Sequence, residues 1–424
     1  MIRVITGNKF IKNVGILMSG TAIAQAVTVL IAPLLTRLYS PESYGVFGLY
    51  TSIISVISVL MTLKYEMSIV LPKSDKHAVN LLVLCQLLVA SITVIVSILI
   101  YVFYDKISFY LNSPGLKGVL WLIPLSVFSM GAYNMLNFWT TRNKKFSSLS
   151  RSRILQSTSA SGAQVLLGFG QFGAIGLVIG QCVGQILSVV NLLFGTLKRY
   201  RFFIKDNMNI MQIKELAIKY KHFPLFSAPQ SFVNVVSQMS APLILGFYFG
   251  PATVGLYTMA LKLIELPANL VGEAFRQVHF QYFSELKNKN GDVAGNLIKA
   301  TSILALIAIV PVTIIFIFAP NIFSFLLGDE WYEAGKYSSW LAIWIYFWFV
   351  NRPTVTAIQV YGWQKYLLYF ELGLLLARIV ILYVASIYFN AYIGVILFSL
   401  IGAALTPITT LCTLFAVTKN KNKG

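Results

Sequence analysis

The sequence predicts a polytopic membrane protein built entirely from α-helices. Hydrophobic residues make up 57% of the 424-residue chain and charged residues only 11%, which leaves too little polar surface to cover a soluble globule. Apolar stretches of about 20 residues, the length that crosses a ~30 Å hydrocarbon core, follow one another along the whole chain. Basic residues lie predominantly on one side of these stretches. We therefore expect about twelve transmembrane helices.

The predicted spans form two groups of six. An N-terminal lobe (1–197) is joined by a basic cytoplasmic linker (198–222) to a C-terminal lobe (223–424). Because lipid-exposed backbone must satisfy its own hydrogen bonds, the spans are expected to be helical. Their approximate limits are 14–36, 45–71, 78–103, 117–139, 154–172, 174–196, 223–248, 254–279, 297–319, 337–361, 366–389 and 391–417.

Arginine and lysine orient the spans. With a cytoplasmic N-terminus, 23 of the 33 basic residues fall in inner segments, 6 fall inside spans and 4 fall in outer segments. This is the positive-inside bias, and it predicts a multi-pass protein of the cell inner (cytoplasmic) membrane with both termini in the cytoplasm. The net charge of +19 lies beside membrane spans, where anionic lipid headgroups balance it. We expect membrane lipids, and no nucleic acid, as its counter-charge.

A short motif recurs in both lobes. Tyr39–Phe47, after span 1, aligns with Phe249–Tyr257, after span 7, and Pro41 meets Pro251 at an offset of 210 residues. Because six spans separate the two copies, both lobes enter the membrane in the same direction. This predicts a parallel pseudo-repeat about an axis along the membrane normal, with a cleft between the lobes.

Span 8 carries a polar stripe on an otherwise apolar helix. Its members are spaced by three or four residues and fall within about 80° of arc. Each central charge costs roughly 2.5–3.5 kcal/mol on insertion scales, so the stripe should face protein or water. Pairing of Lys262 with Glu265, and of Glu273 with Arg276, would only lock the bundle; the alternative is a functional cavity. The stripe consists of Lys262, Glu265, Asn269, Glu273 and Arg276.

Two arginines stand in later spans. Arg378 lies about midway along span 11, and Arg352 lies in the inner half of span 10 with no acid nearby in sequence. Arginine suits phosphate because its planar fork donates two parallel hydrogen bonds and keeps its charge when desolvated. We predict that Arg378 and Arg352, together with Lys262 and Arg276, bind an anionic substrate.

Further polar residues complete the candidate site. Gln25 in span 1, Asn234 in span 7 and Asn269 in span 8 are expected to line a hydrated cavity as substrate-binding residues, although such residues also serve as interhelical hydrogen-bonding partners. Lys64, near the inner end of span 2, either contacts substrate or snorkels to the surface. Gly176, Gly180 and Gly184 form a small-xxx-small ridge that indicates helix packing; the ridge is a structural feature.

Three carboxylates are candidates for ion coupling. Glu265, Glu273 and Glu66 would titrate when desolvated, and so link transport to a proton or sodium gradient. We expect no other cofactor. The sequence has no P-loop motif and no histidine spacing typical of a metal site, and we assign no catalytic residue.

Motifs distributed over nearly the whole chain resemble those of a known family. Together with twelve spans in two halves, they resemble the Wzx-type O-antigen and polysaccharide flippases, in the superfamily that also holds the MurJ lipid II flippases and the MATE drug exporters. The residues that carry the resemblance are Gln25, Pro33, Arg37, Tyr39–Gly45, Lys64–Glu66, Gly250–Pro251, Val254–Tyr257, Pro267 and Leu327–Ala334.

The resemblance implies two six-helix bundles that open alternately to each side of the membrane. The substrate would be an undecaprenyl-diphosphate-linked oligosaccharide of lipopolysaccharide or another surface polysaccharide, with a polysaccharide polymerase and a chain-length regulator as partners. Two alternatives within the superfamily are a lipid II flippase and a cation-coupled multidrug exporter. A membrane glycosyl polymerase or ligase is an alternative of another class. It would need a large outer loop, and the longest outer connections, 104–116 and 320–336, are under 20 residues.

The orientation predicts the result of a reporter-fusion experiment. An enzyme that is active only outside the cytoplasm should be active when fused after Leu111 or Leu327, and silent when fused after Ser147 or Asn288. The reason is that basic inner loops resist translocation. Enzyme activity normalised to expression is the measurement, and the reverse pattern would contradict the orientation.

Overall fold

All regular secondary structure in the described residues, 2–288 and 291–421 of a computed structural model, is helical. The side chains of residues 2–14 and of several later positions lie outside the description. The α-helices are α1 (Ile2–Leu38), α2 (Pro41–Ser58), α3 (Asp75–Tyr110), α4 (Pro114–Leu120), α5 (Ile123–Arg142), α6 (Phe146–Phe169), α7 (Gly173–Asn207), α8 (Ile210–Lys219), α9 (Ala228–Phe249), α10 (Pro251–Asn288), α11 (Val293–Leu327), α12 (Tyr332–Val350), α13 (Arg352–Tyr361), α14 (Gln364–Tyr388) and α15 (Ala391–Lys421).

The predicted fold class, a polytopic all-α membrane protein, is confirmed. Eight helices in the described part of the chain are long and apolar enough to cross a membrane, and nine if α4 and α5, bent by 56°, are counted as one broken span. The other predicted spans fall on α2, on α6 and on the pair α12 and α13. These segments are shorter or more polar, because much of their surface packs against other helices.

Two spans predicted as continuous are broken. Span 2 was expected over 45–71, but α2 ends at Ser58 and a 3₁₀ helix occupies Tyr65–Val70. Between them Leu63 and Lys64 have φ of 48° and 63°, a left-handed conformation that interrupts the helical hydrogen bonds. Span 10 was expected over 337–361 and is divided at Asn351. Pro353, which has no N–H to donate, lies in the first turn of α13.

The chain divides into two compact units, one ending at Val235 and the other beginning at Val236. The division lies inside α9, whereas the predicted linker covered 198–222. The linker region itself is mostly helical: α7 continues to Asn207, and α8 follows at Ile210.

Helix α8 lies in the predicted linker and is amphipathic, and its apolar face packs on protein. Ile213 and Leu216 are buried, and α8 contacts α3 within the first unit. Asn209 caps the helix, since its side chain accepts hydrogen bonds from the backbone N–H groups of residues 211 and 212. Asn80 of α3 donates to the Asn207 carbonyl at 3.0 Å. These bonds hold α8 against the helix bundle instead of leaving it free at the headgroup level.

The recurring motif occupies equivalent turns. Pro41 begins α2 directly after α1, and Pro251 begins α10 directly after α9. Proline suits the first helical turn because the missing N–H would have no partner there. Gly250 supplies a positive φ of 81° at the second turn, and the Ser40 hydroxyl accepts from the Ser43 N–H at the first. The two halves therefore start their second helix in the same way.

The glycine ridge is a packing surface, as predicted. A Cβ atom on Gly180 would lie 2.4 Å from Cγ of Gln164, and one on Gly184 would lie 2.5 Å from the Gln156 carbonyl oxygen. A Cβ on Gly176 would lie 2.6 Å from the Tyr39 hydroxyl. Helices α6 and α7 therefore approach at backbone distance, which only glycine permits.

This packing predicts a position-specific stability loss. Gly184→Ala should destabilise the protein by about 1–3 kcal/mol, because the added methyl group meets a backbone carbonyl that cannot move aside. Gly162→Ala in α6 is the matched control, since a Cβ there meets nothing within 4 Å. Thermal unfolding in detergent micelles measures both. Equal melting temperatures would contradict the close approach.

Candidate functional site

Arg352 and the polar stripe of α10 come together in the second unit. The Nη2 atom of Arg352 donates to Oδ1 of Asn269 at 2.9 Å. The guanidinium carbon lies 3.7 Å from the ring centroid of Trp348. Gly272 provides the space, because a Cβ there would lie 3.2 Å from the Arg352 Nε. The structure thus joins two residues that the sequence assigned to different spans.

The break between α12 and α13 sets the position of Arg352. Oδ1 of Asn351 accepts hydrogen bonds from the hydroxyls of Thr409 at 3.0 Å and Thr410 at 2.9 Å, both on α15. Thr354 donates to Thr410 at 3.1 Å. These side-chain bonds tie the break to α15, while the backbone groups of Asn351 stay paired with Phe347 and Val355. They anchor the residue before Arg352, so that its side chain extends to α10.

Glu265 has Arg352 as its charged neighbour. In the described residues, Glu265 forms no ion pair with Lys262, which is exposed, while Glu265 itself is partly buried. The predicted pairing of these two residues is therefore not present. The Glu273 side chain lies outside the described residues, so its pairing with Arg276 stays a prediction. Arg276 is partly buried.

Arg378 of α14 is enclosed in an aromatic box. It is 2% exposed, and its guanidinium carbon lies 4.6 Å from the Trp344 ring centroid and 4.5 Å from that of Phe398. Its Nη1 donates to the Ser237 hydroxyl at 3.2 Å. Tyr257 packs edge-on against Phe398, with 6.2 Å between ring centroids.

Arg378 has Glu371 of the same helix as a charged neighbour, but it forms no ion pair with it in the described residues. Within the described ranges, no acid lies within ion-pair distance, and its buried Nε has no hydrogen-bond partner. The hydroxyl of Tyr257 is likewise buried without a partner. Ring faces attract a cation by about 2 kcal/mol or more when desolvated. The two rings stabilise the guanidinium and leave its Nε–H donor without a hydrogen-bond partner.

The close approach of α15 completes this box. A Cβ atom on Gly402 would lie 2.6 Å from Cδ1 of Trp344 and 3.1 Å from Nη2 of Arg378. Glycine at this position lets Trp344 and the guanidinium pack directly on the helix. A substrate that reaches Arg378 must therefore displace Ser237 or one of the rings.

Four of the predicted site residues, Gln25, Lys64, Glu66 and Asn234, belong to the first unit. Gln25 on α1 has a buried Oε1 without a hydrogen-bond partner in the described structure. Its helix contacts α6 through polar groups: Thr28 and Ser157 share a hydrogen bond of 3.1 Å, and Arg153 donates to the Thr21 hydroxyl. Sequence reasoning assigned Arg153 to an inner segment. The many serines of α6 were the signal that this region continues as a packed helix.

Lys64 and Glu66 form a local pair in the same unit. Their Nζ and Oε1 atoms lie 4.0 Å apart, and Glu66 is 4% exposed and accepts a hydrogen bond from the Thr62 hydroxyl. Tyr65 between them donates to the Ala217 carbonyl of α8 at 2.9 Å. Asn234 on α9 is partly buried and also belongs to this unit.

In the described residues the chain is helical, with several helices able to cross a membrane and charged groups held among them, which is the organisation of a polytopic membrane protein. Residues 34–336 match the model of a family described as polysaccharide biosynthesis protein. This match covers more than half of the chain, and the chain belongs to that family. A comparison with curated protein sequences finds no match.

Solved structures confirm the fold. A lipid II flippase MurJ in an inward closed conformation is similar with a TM-score of 0.75, 13% identity, 96% of this chain and 90% of that one. An inward-facing multidrug resistance MATE family transporter of the MOP superfamily gives 0.71, 14% identity and 96% of each chain. A MOP superfamily transporter from Pyrococcus furiosus, described by the reverse polarity of its binding pocket, gives 0.60, 13% identity and 96% of each chain.

Proposed function

We propose that this protein is a flippase, a secondary transporter rather than an enzyme. It would move an undecaprenyl-diphosphate-linked oligosaccharide repeat unit, of O-antigen or a related surface polysaccharide, across the inner membrane by alternating access. Membership of a polysaccharide biosynthesis family supports the glycan. A lipid II flippase among the structural neighbours supports a lipid-linked cargo on this fold. We propose a polysaccharide polymerase and a chain-length regulator as its protein partners.

The observation that carries this proposal is the buried guanidinium of Arg378. Burying a charge without a directly paired opposite charge is costly, and here two rings and a hydroxyl contact the guanidinium while Glu371 acts from a greater distance. A diphosphate would supply the missing negative charge. Opening the aromatic box would expose Nε and Nη groups in the fork geometry that binds two phosphate oxygens.

The α10 stripe extends this cationic region. Lys262 is exposed, and Arg352 is already held by Asn269 at 2.9 Å. We assign Lys262, Arg276 and Arg352 to acidic groups of the cargo. The side-chain amides of Asn269, Asn234 and Gln25 would form hydrogen bonds with the sugars. We assign Lys64 to substrate binding as well.

Carboxylates would couple the cycle to a proton or sodium gradient. Glu265 is partly buried and has no ion pair with Lys262 in the described structure. A carboxylate that moves between hydrated and desolvated surroundings binds a proton in one state only, and this shifts the balance between states. Glu66, with Thr62 donating to it, is the corresponding candidate of the first unit. Glu273 keeps this role as a prediction.

The alternative functions fit the structure less well. An exporter of cationic drugs needs an acidic cavity, whereas the second unit buries an arginine. A polymerase or ligase needs a substantial outer loop. Here α3 extends to Tyr110, α11 extends to Leu327, and only short turns connect them to α4 and α12. The cargo of a lipid II flippase would carry the same diphosphate group but a different glycan.

Arg378→Met should abolish most transport. The substitution keeps the side-chain volume and removes the charge, so we expect normal insertion but at least a tenfold loss of surface polysaccharide, with lipid-linked repeat unit trapped on the cytoplasmic face. Arg378→Lys should retain partial activity, because it keeps the charge but lacks the bidentate fork.

Lys262→Ala should also trap the lipid-linked repeat unit on the cytoplasmic face. Lys299→Ala, at an exposed span edge, is the control; wild-type polysaccharide from Arg378→Met would exclude the assignment.

Glu265→Gln should bind cargo but transport it independently of an imposed proton or sodium gradient, because the amide cannot titrate. Transport of glycolipid into proteoliposomes with and without the gradient is the measurement. The double change Lys262→Leu, Glu265→Leu should not restore activity, since the two groups are not paired. Gradient dependence equal to that of the wild type would remove Glu265 from the coupling mechanism.

A further inference from the structure

A small cavity lies in the first unit where the end of α5, the start of α6 and the last turns of α7 meet. Its volume is about 20 Å³, far below the roughly 300–1,000 Å³ of ordinary small-molecule pockets. It is therefore suited only to a single small group. Its lining residues are Trp139, Thr140, Asn143, Lys145, Ser148, Asn191, Leu192, Gly195, Thr196 and Tyr200.

A buried hydrogen-bond donor without an acceptor lines this cavity. Trp139 is 2% exposed, and its indole Nε1 has no hydrogen-bond partner in the described structure. The ring is fixed by an edge-to-face contact with Tyr200, whose centroid lies 5.5 Å away. An indole N–H can only donate, and leaving a buried donor unsatisfied is unfavourable. The cavity thus presents a fixed donor that lacks an acceptor.

Positive electrostatic potential converges on the same space. Helix α6 spans 24 residues and starts here, with Lys145 at its N-cap position, no side-chain cap and no acid in its first turn. A helix N-terminus carries partial positive charge and attracts anions. The Lys145 ammonium lies 5.1 Å from the Tyr200 ring centroid, which holds it at the cavity wall.

The remaining lining chemistry is complementary to a multi-oxygen anion. Thr140, Ser148 and Thr196 add hydroxyl donors, Asn191 adds an amide, and no aspartate or glutamate is among the lining residues. Glycine keeps the space open, because a Cβ on Gly195 would meet nothing within 4 Å.

We propose that this cavity is a binding site for a phosphate group, separate from the transport site. A phosphate group offers several acceptor oxygens within one small volume, and so matches an ammonium, an indole N–H, hydroxyls and a helix N-terminus at once. The group belongs either to an anionic phospholipid headgroup or to free phosphate. The proposal does not depend on the flippase assignment.

Fluorine NMR on the full chain tests this directly. The protein is labelled with 5-fluorotryptophan in maltoside micelles, and the Trp139 signal is identified by its loss in Trp139→Phe. It is then titrated with sodium phosphate or with dihexanoyl phosphatidic acid against sodium chloride at matched ionic strength. We expect a saturable shift of the Trp139 signal. Saturation by both ligands would show that the phosphate group suffices, and saturation by the lipid alone would identify the headgroup as the ligand.

Matched variants separate this site from general charge effects. Lys145→Gln should raise the apparent dissociation constant at least tenfold, whereas Lys144→Gln, the exposed neighbour, should change it less than twofold. Gly195→Leu should abolish binding by filling the cavity, and Gly162→Leu, equally unhindered, should not. The absence of a saturable Trp139 shift with either ligand, or equal losses in each variant and its control, would overturn the proposal.

Discussion

Every polar group that this chain carries into the membrane must find its partner within the protein, because hydrocarbon offers neither donors nor acceptors. The backbone meets this requirement by being helical throughout the described spans. Lipid-facing hydroxyls meet it by donating to their own helix, as Thr313 does to the Ile309 carbonyl at 2.7 Å. Where α12 ends, the Asn351 side chain finds its partners in threonines of α15. The same requirement makes Arg378 unusual, because only rings and a hydroxyl contact its guanidinium in the described residues.

Much of the fold follows from the sequence alone. Apolar length predicted the helical membrane class, and the structural neighbours confirm the fold. The glycine spacing predicted a helix-packing ridge, which the structure places between α6 and α7. All these features depend on local periodicity, which one sequence displays directly.

Sequence reasoning failed where local and long-range forces compete. The left-handed turn at Leu63 and Lys64 contains no glycine that would indicate it. The sequence therefore predicted span 2 as one continuous helix. The break at Asn351 depends on threonines of α15, more than fifty residues away. The position of Arg378 midway along a span was evident, but its aromatic partners come from α12 and α15 and share no periodic pattern with it. Contacts between distant segments, more than helix identity, were the missing information.

The interlocked glycine ridge has a mechanical consequence. With the α6 backbone within 2.5 Å of a would-be methyl position on Gly184 of α7, neither helix can slide or rotate past the other without collision. The two helices therefore move as one rigid pair over the length of this contact. Any deformation of the first unit must be taken up by its irregular segments, of which the turn after α2 is one, since α6 and α7 have no alternative register to adopt.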